Sequence, residues 1–228
     1  DATERYMAGN NATPALRWVG NPDLSPEKHH QLDIGASQSS RDWNMTVSGY
    51  YDYVADFIMR DGARGQDGVL VSNGATIYRN IDASLMGMEL EGKYTLYERW
   101  NLLGHLTYTY GNNREDDDAL AQIPPLEGRL AIEYAADFWN VGTGFNFATK
   151  QTRLDDQTSQ RDLDSSGYGT LDIYGTMQVA PFEMRIGINN VFDKTYARHL
   201  NRSNAFDPSE IQVNEPGRSF GVQLHAKF

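Results

Sequence analysis

The sequence contains no cysteine, which excludes disulfide frameworks and thiolate metal sites alike. It has no apolar run approaching the roughly 18 residues of a membrane-crossing helix. It lacks an excess of basic residues. With 20 Lys and Arg against 31 Asp and Glu, the formal charge is −11, and no basic stripe points to nucleic acid. There is no initiator Met, no positively charged leader and no apolar leader core at Asp1. A signal peptide would therefore have been removed or would lie outside these 228 residues.

The chain does have 21 Gly, 13 Tyr, nine Phe and four Trp, a composition suited to an aromatic, turn-rich β protein. Mean hydropathy is low, at −0.60. That value argues against helical spans only, because in a β-barrel every second residue faces the lumen and dilutes the signal.

Period-2 alternation runs through most of the sequence and predicts strands at 31–39, 43–59, 77–96, 100–111, 127–136, 139–152, 168–180, 182–198 and 217–228. Apolar faces such as Leu102/Gly104/Leu106/Tyr108/Tyr110 and Leu171/Ile173/Gly175/Met177/Val179 oppose polar ones carrying Asn101, His105, Thr107, Arg129, Glu133, Asn146, Asp172, Glu183 and Arg185. Residues 1–27 read as loop.

Alternation alone does not separate a half-buried soluble sheet from a membrane barrel, but the connections do. Short ones at 40–42, 97–99, 137–138 and 180–181 alternate with long polar ones near 60–76, 112–125, 153–167 and 199–216. Short turns on one rim and long loops on the other are how outer-membrane barrels are built. The strands exceed the usual length of about 5–6 residues. Trp43, Tyr97, Trp100, Tyr134, Phe138, Trp139 and Phe182 by the short turns, with Tyr108, Tyr110, Phe147 and Tyr168 toward the loops, suit two interfacial girdles. Nine strands leave two open edges, which hydrocarbon does not tolerate, so a larger barrel is expected.

Three stretches together carry a family resemblance. NPDLSPEKHHQLDIG (21–35), GINNVFDKTYARH (187–199) and EPGRSFGVQLHAKF (215–228) resemble segments of TonB-dependent outer-membrane receptors, with MGMELEGKYTL (86–96) a weaker fit. Residues 196–220 are similar to the copper-receptor branch. The resemblance implies an all-β fold: an antiparallel transmembrane β-barrel, here its C-terminal nine or so strands out of about 22. The whole chain 1–228 would be one portion of that barrel domain, with the N-terminal plug and TonB box outside it.

The expected function is TonB-dependent import of a metal ion or metal complex, copper favoured. A siderophore or haem receptor of the same family is the alternative. From other classes, a small outer-membrane protease-type barrel enzyme and a soluble β-sandwich binding module stay open. No catalytic motif is present, and an enzyme is not expected. The expected location is the Gram-negative outer membrane. Expected partners are outer-membrane lipid, the TonB complex through a plug outside this chain, and the barrel-assembly machinery through the last strand.

No cofactor is expected, with copper entering as transported ligand. Imidazole and thioether would bind it. Met88, Met177 and Met184 fall on apolar faces and read as lipid contacts, whereas His29, His30 and His199 lie near strand–loop junctions and are the binding candidates. Adjacent strand residues point oppositely, so His29 and His30 do not chelate one ion together. The acidic runs 115–118 and 155–156 read as solvated loop. Phe220, Val222, Leu224 and Phe228 form the expected assembly signal of the closing strand.

Overall fold

The computed structural model describes residues 2–9, 17–61, 75–155, 163–201 and 212–226. Nine long strands form one antiparallel meander: β3 (Lys28–Ser39), β4 (Trp43–Asp61), β5 (Thr76–Leu96), β6 (Trp100–Asn113), β8 (Glu127–Ala135), β9 (Trp139–Ala148), β10 (Tyr168–Val179), β11 (Phe182–Asn189) and β12 (Ser219–Ala226). Each pairs with its sequence neighbour, apart from the two-residue β7 (Asp118–Ala119) on the edge of β6. Among the described residues β3 and β12 each pair on one side only.

Residues 2–9 and 17–19 are not simply loop, as the sequence reading has them. A five-residue helix α1 (Ala2–Tyr6) precedes the short strands β1 (Ala8–Gly9) and β2 (Trp18–Val19), and β2 runs parallel to the start of β5. Arg5 ties this segment down by donating to the carbonyls of Pro22 and Leu24.

Register sorts the side chains into two faces. On one, Trp43, Met45 and Val47 lie across from Tyr94, Gly92 and Leu90, which meet Leu102, Gly104 and Leu106 in turn. The same face continues through Ile132 and Leu130 to Thr143 and Phe145, and ends at Ile186, Met184, Val222 and Leu224. On the other, Glu89 and Glu91 lie across from Thr107 and His105, His105 from Arg129, Arg129 from Asn146, and Glu183 from His225. Met88 and Met184 sit on the apolar face, and His105 and His225 on the polar one.

At the short-turn rim, Trp100 meets Tyr134 edge-on and Tyr134 packs at a tilt against Trp139, at centroid separations of 5.1 and 5.4 Å, an aromatic cluster of the kind that anchors a barrel at an interface. Tyr97 and Glu98 both have positive φ, 49° and 62°, in the three-residue connection between the paired Leu96 and Trp100, where the Arg99 N–H donates to the Tyr97 carbonyl.

Toward the long loops the pattern inverts. The polar face acquires an apolar cluster of Val54, Met59, Ile81 and Ala83, roofed by Leu120 and Ile123 of the β6–β8 connection. The opposite face turns polar: the Tyr53 hydroxyl donates to Asp82 at 2.6 Å, and Arg114 lies over the Tyr53 ring. A β-bulge between Val54 and Phe57, with Asp56 at φ 62°, makes this possible. The extra residue shifts parity, so that Phe57 and Met59 join the cluster instead of pointing away.

Two predicted strands end early. That beginning at Phe182 stops at Asn189 because the Asn190 side chain bonds both the backbone N–H and the C=O of Lys194, closing a turn in the left-handed region. That beginning at Trp139 stops at Ala148, after which Gln151 makes only an isolated bridge to Ser165. Gly217 and Arg218 precede β12, held by Asp193, which accepts from the Arg218 N–H at 2.7 Å.

Candidate functional site

The loop-side end of the polar face carries the concentration of charged and hydrogen-bonding side chains that a ligand entering from the long-loop rim would meet. One part is an open recess of about 470 Å³ between β6–β12 and the connection after β11. Arg129 on β8 reaches over the intervening strand β9 to Asp172 on β10, at 2.9 Å. Asn146, between them on β9, accepts from Arg129 at 2.6 Å and donates to Asp172 at 2.8 Å. Gly144 permits this reach, since a β-carbon there would overlap the Arg129 guanidinium.

Asp172 also accepts from the Asn190 backbone N–H, joining the network to the loop above. Tyr196 stacks on Tyr168 at 4.3 Å, and Glu215 donates its N–H to the Tyr196 carbonyl. Burial pushes the Tyr196 phenol up from its ordinary value, with the nearby Glu215 carboxylate adding to the shift.

A second group sits at the other end of the sheet. His29 Nδ1 lies 2.7 Å from Asp52, and its Nε2 lies 3.6 Å from Glu27. Glu27 is itself fixed by accepting from the Ile58 N–H at 2.7 Å, and Lys28 pairs with Asp56 at 2.7 Å.

Two connections fold inward between these groups. Arg153 lies over the Tyr110 ring at 3.9 Å and donates to the Gly111 carbonyl and to Asn112, while Gln151 donates to the Ile123 carbonyl. The acidic run 115–118 is held rather than free: Asn113 receives two of its backbone N–H groups and donates to Asp116, and Arg79 lies 3.7 Å from Glu115 and 3.9 Å from Asp116. Arg79 also pairs with the buried Asp61.

The three candidate histidines are not brought together. His29 is on the polar face. His30 is on the opposite face, stacked on Tyr53 at 6.0 Å. His199 is buried in the connection after β11, where Nδ1 meets the Ser165 hydroxyl at 3.2 Å and its carbonyl accepts from Gln212. Among the described residues, no three His, Asp or Glu side chains group to hold a metal ion. Phe220, Val222 and Leu224 share the apolar face of β12 and are exposed, whereas Phe228 lies outside the described residues.

Alternation places these charges on the correct face, and register alone would pair them between neighbouring strands. Arg129 instead skips a strand, and Arg185 pairs with Glu183 of its own strand at 2.6 Å. Gly144 on β9, diagonal to the long Arg129 on the adjacent β8, was the available signal. Asp52 and Arg153 were missed because nothing in their local sequence marks them.

Residues 1–191 match the family described as TonB dependent receptor-like, beta-barrel. A vitamin B12 transporter, BtuB, from Photobacterium profundum is 26% identical over 184 residues, covering 78% of this chain and 28% of its own length. The solved copper transporter OprC is 32% identical with a TM-score of 0.80, over 89% of this chain and 32% of that one. A ferric enterobactin receptor, PfeA, from Pseudomonas aeruginosa shares the fold at 21% identity and a TM-score of 0.70, over 93% of this chain and 32% of that one. The chain thus spans about a third of the length of the relatives it matches. It belongs to the TonB-dependent receptors, as a stretch of their Gram-negative outer-membrane β-barrel.

Proposed function

We propose that this stretch of barrel serves a transporter that imports a metal ion or metal complex, with copper as the favoured cargo. The observation that carries the proposal is the 32% identity to a copper transporter along most of the chain, together with the copper-branch likeness of residues 196–220. Membership of a family of transporters and receptors sets aside the protease-type barrel and the soluble sandwich.

In this reading the apolar face contacts outer-membrane lipid and the polar face lines the lumen. The ligand is captured at the long-loop rim, and a plug outside this chain, coupled to TonB, rearranges to let it through. Receptors of this family work with TonB. Contact of β12 with the assembly machinery belongs to the same proposal.

A second reading, cobalamin as the metal complex carried, has the vitamin B12 transporter match in its favour. Calorimetry on the full-length receptor with Cu(I), Cu(II), Zn(II) and cobalamin separates the two. Copper binding with receptor-dependent copper uptake supports the first. Cobalamin binding without copper binding removes copper as the cargo.

A further inference from the structure

We propose that His29 and Glu27 form a two-ligand site for a divalent transition-metal ion at the mouth of the barrel, with Asp52 as the positioning residue behind the imidazole. The role of such a site in uptake rests on the metal-cargo reading; its existence does not.

His29 Nε2 and Glu27 Oε2 lie 3.6 Å apart. That is long for a hydrogen bond. Two donors each about 2.0–2.1 Å from one tetrahedral ion lie about 3.3 Å apart, so a shift of a few tenths of an ångström converts the pair into ligands. Imidazole with carboxylate suits Zn(II) and Cu(II).

Both donors are already held in place. The second oxygen of Glu27 is engaged by the Ile58 N–H, which turns Oε2 toward His29. The imidazole is held by Asp52, whose Oδ2 lies 2.7 Å from Nδ1; in the neutral tautomer that donates Nδ1–H to this carboxylate, the Nε2 lone pair is available to an ion. A carboxylate behind a ligating histidine is the usual outer-shell arrangement of metal sites. Asp52 is well suited to it: its side chain is 9% exposed, and its Oδ1 is buried with no hydrogen-bond partner. A carboxylate buried in that state sets up a local negative potential that favours a cation nearby.

The surroundings leave the ion room. The ammonium of the adjacent Lys28 is occupied by Asp56 at 2.7 Å. The His29 side chain is 50% exposed on the polar face, and water completes the coordination. The adjacent His30 lacks a carboxylate behind it and stacks on Tyr53 across the sheet, which makes it an internal control.

The test is Cu(II) titration of the full-length receptor in detergent, followed by electron paramagnetic resonance and calorimetry. A signal with coupling from one imidazole nitrogen is expected, abolished in His29→Gln, weakened in Glu27→Gln and retained in His30→Gln. Asp52→Asn should weaken binding about 10–100-fold. Heat-modifiable gel mobility confirms that each variant is a folded barrel. If Asp52→Asn does not fold, the His29→Gln and His30→Gln pair still decides. Equal loss in those two, or unchanged binding in His29→Gln, overturns the site. Copper uptake is scored separately: a His29-dependent signal in a receptor that does not import copper upholds the site and removes the cargo reading.

Discussion

Gly142 on β9 lies directly across from Tyr174 on β10, and the Tyr174 ring occupies the space a β-carbon at Gly142 would need, its nearest atoms 2.7 Å from that point. The same ring takes the Arg129 guanidinium at 5.7 Å. Glycine here is a cradle for an aromatic that steadies the polar face.

Gly142→Val should therefore expel the ring and destabilise the barrel by about 1–3 kcal/mol, the usual cost of overpacking. Gly104→Ala is the comparison, since a β-carbon there meets only Leu130 at 3.4 Å. Denaturant unfolding of the two full-length variants in detergent checks the difference. Equal stability would mean that Tyr174 swings aside without cost.

The two faces predict opposite tolerance to charge at adjacent positions. Leu90 lies between Val47 and Leu106 on the apolar face, and Glu89 between Ser48 and Thr107 on the polar one. Leu90→Arg should cost about 2–4 kcal/mol, as arginine does on a lipid face near mid-bilayer. Glu89→Arg should assemble at the parental level. Outer-membrane yield and unfolding in lipid vesicles measure both, and similar losses would contradict the assignment of faces.

The strands were legible because alternation with period 2 is a direct record of which side each residue faces, and the rim asymmetry was legible from spacing alone. The bulge was not: Ala55 and Asp56 carry no mark that distinguishes them from a continuous strand, yet they reverse the facing of Phe57 and Met59. Nor was the inward fold of residues 114–126, whose Leu120 and Ile123 look like isolated apolar residues in a polar loop until the cluster around Ile81 is seen. The candidate site was legible residue by residue. His29 could be named, but Asp52 is 23 positions away and reaches it only through the β3–β4 register.

The inward fold should be cooperative with the β9–β10 connection, because Arg153 and Gln151 bind Gly111, Asn112 and Ile123. Arg153→Ala is expected to speed amide hydrogen exchange across residues 110–126 without changing global unfolding. Leu120→Ala, which empties a position only 4% exposed, should do the same by a larger margin, with a cost of about 2–5 kcal/mol in local opening. Unchanged exchange in both variants would show that the connection is held by its own turns instead.

The last strand supplies the final prediction. Phe220, Val222 and Leu224 lie across from Ile188, Ile186 and Met184, so β11 fixes the outward facing of β12. They are 74%, 76% and 64% exposed, with nothing on the free edge of β12 among the described residues. Phe228 has the same parity by sequence. If this apolar series and its terminal aromatic serve assembly, deleting Phe228 should lower the amount of folded receptor in the outer membrane and leave the ligand affinity of the folded fraction unchanged. Gln223→Ala, on the polar face across from Arg185, should leave assembly alone. Membrane fractionation with heat-modifiable mobility reads the first quantity and calorimetry the second. Normal assembly of the deletion would confine the role of the alternation to lipid contact.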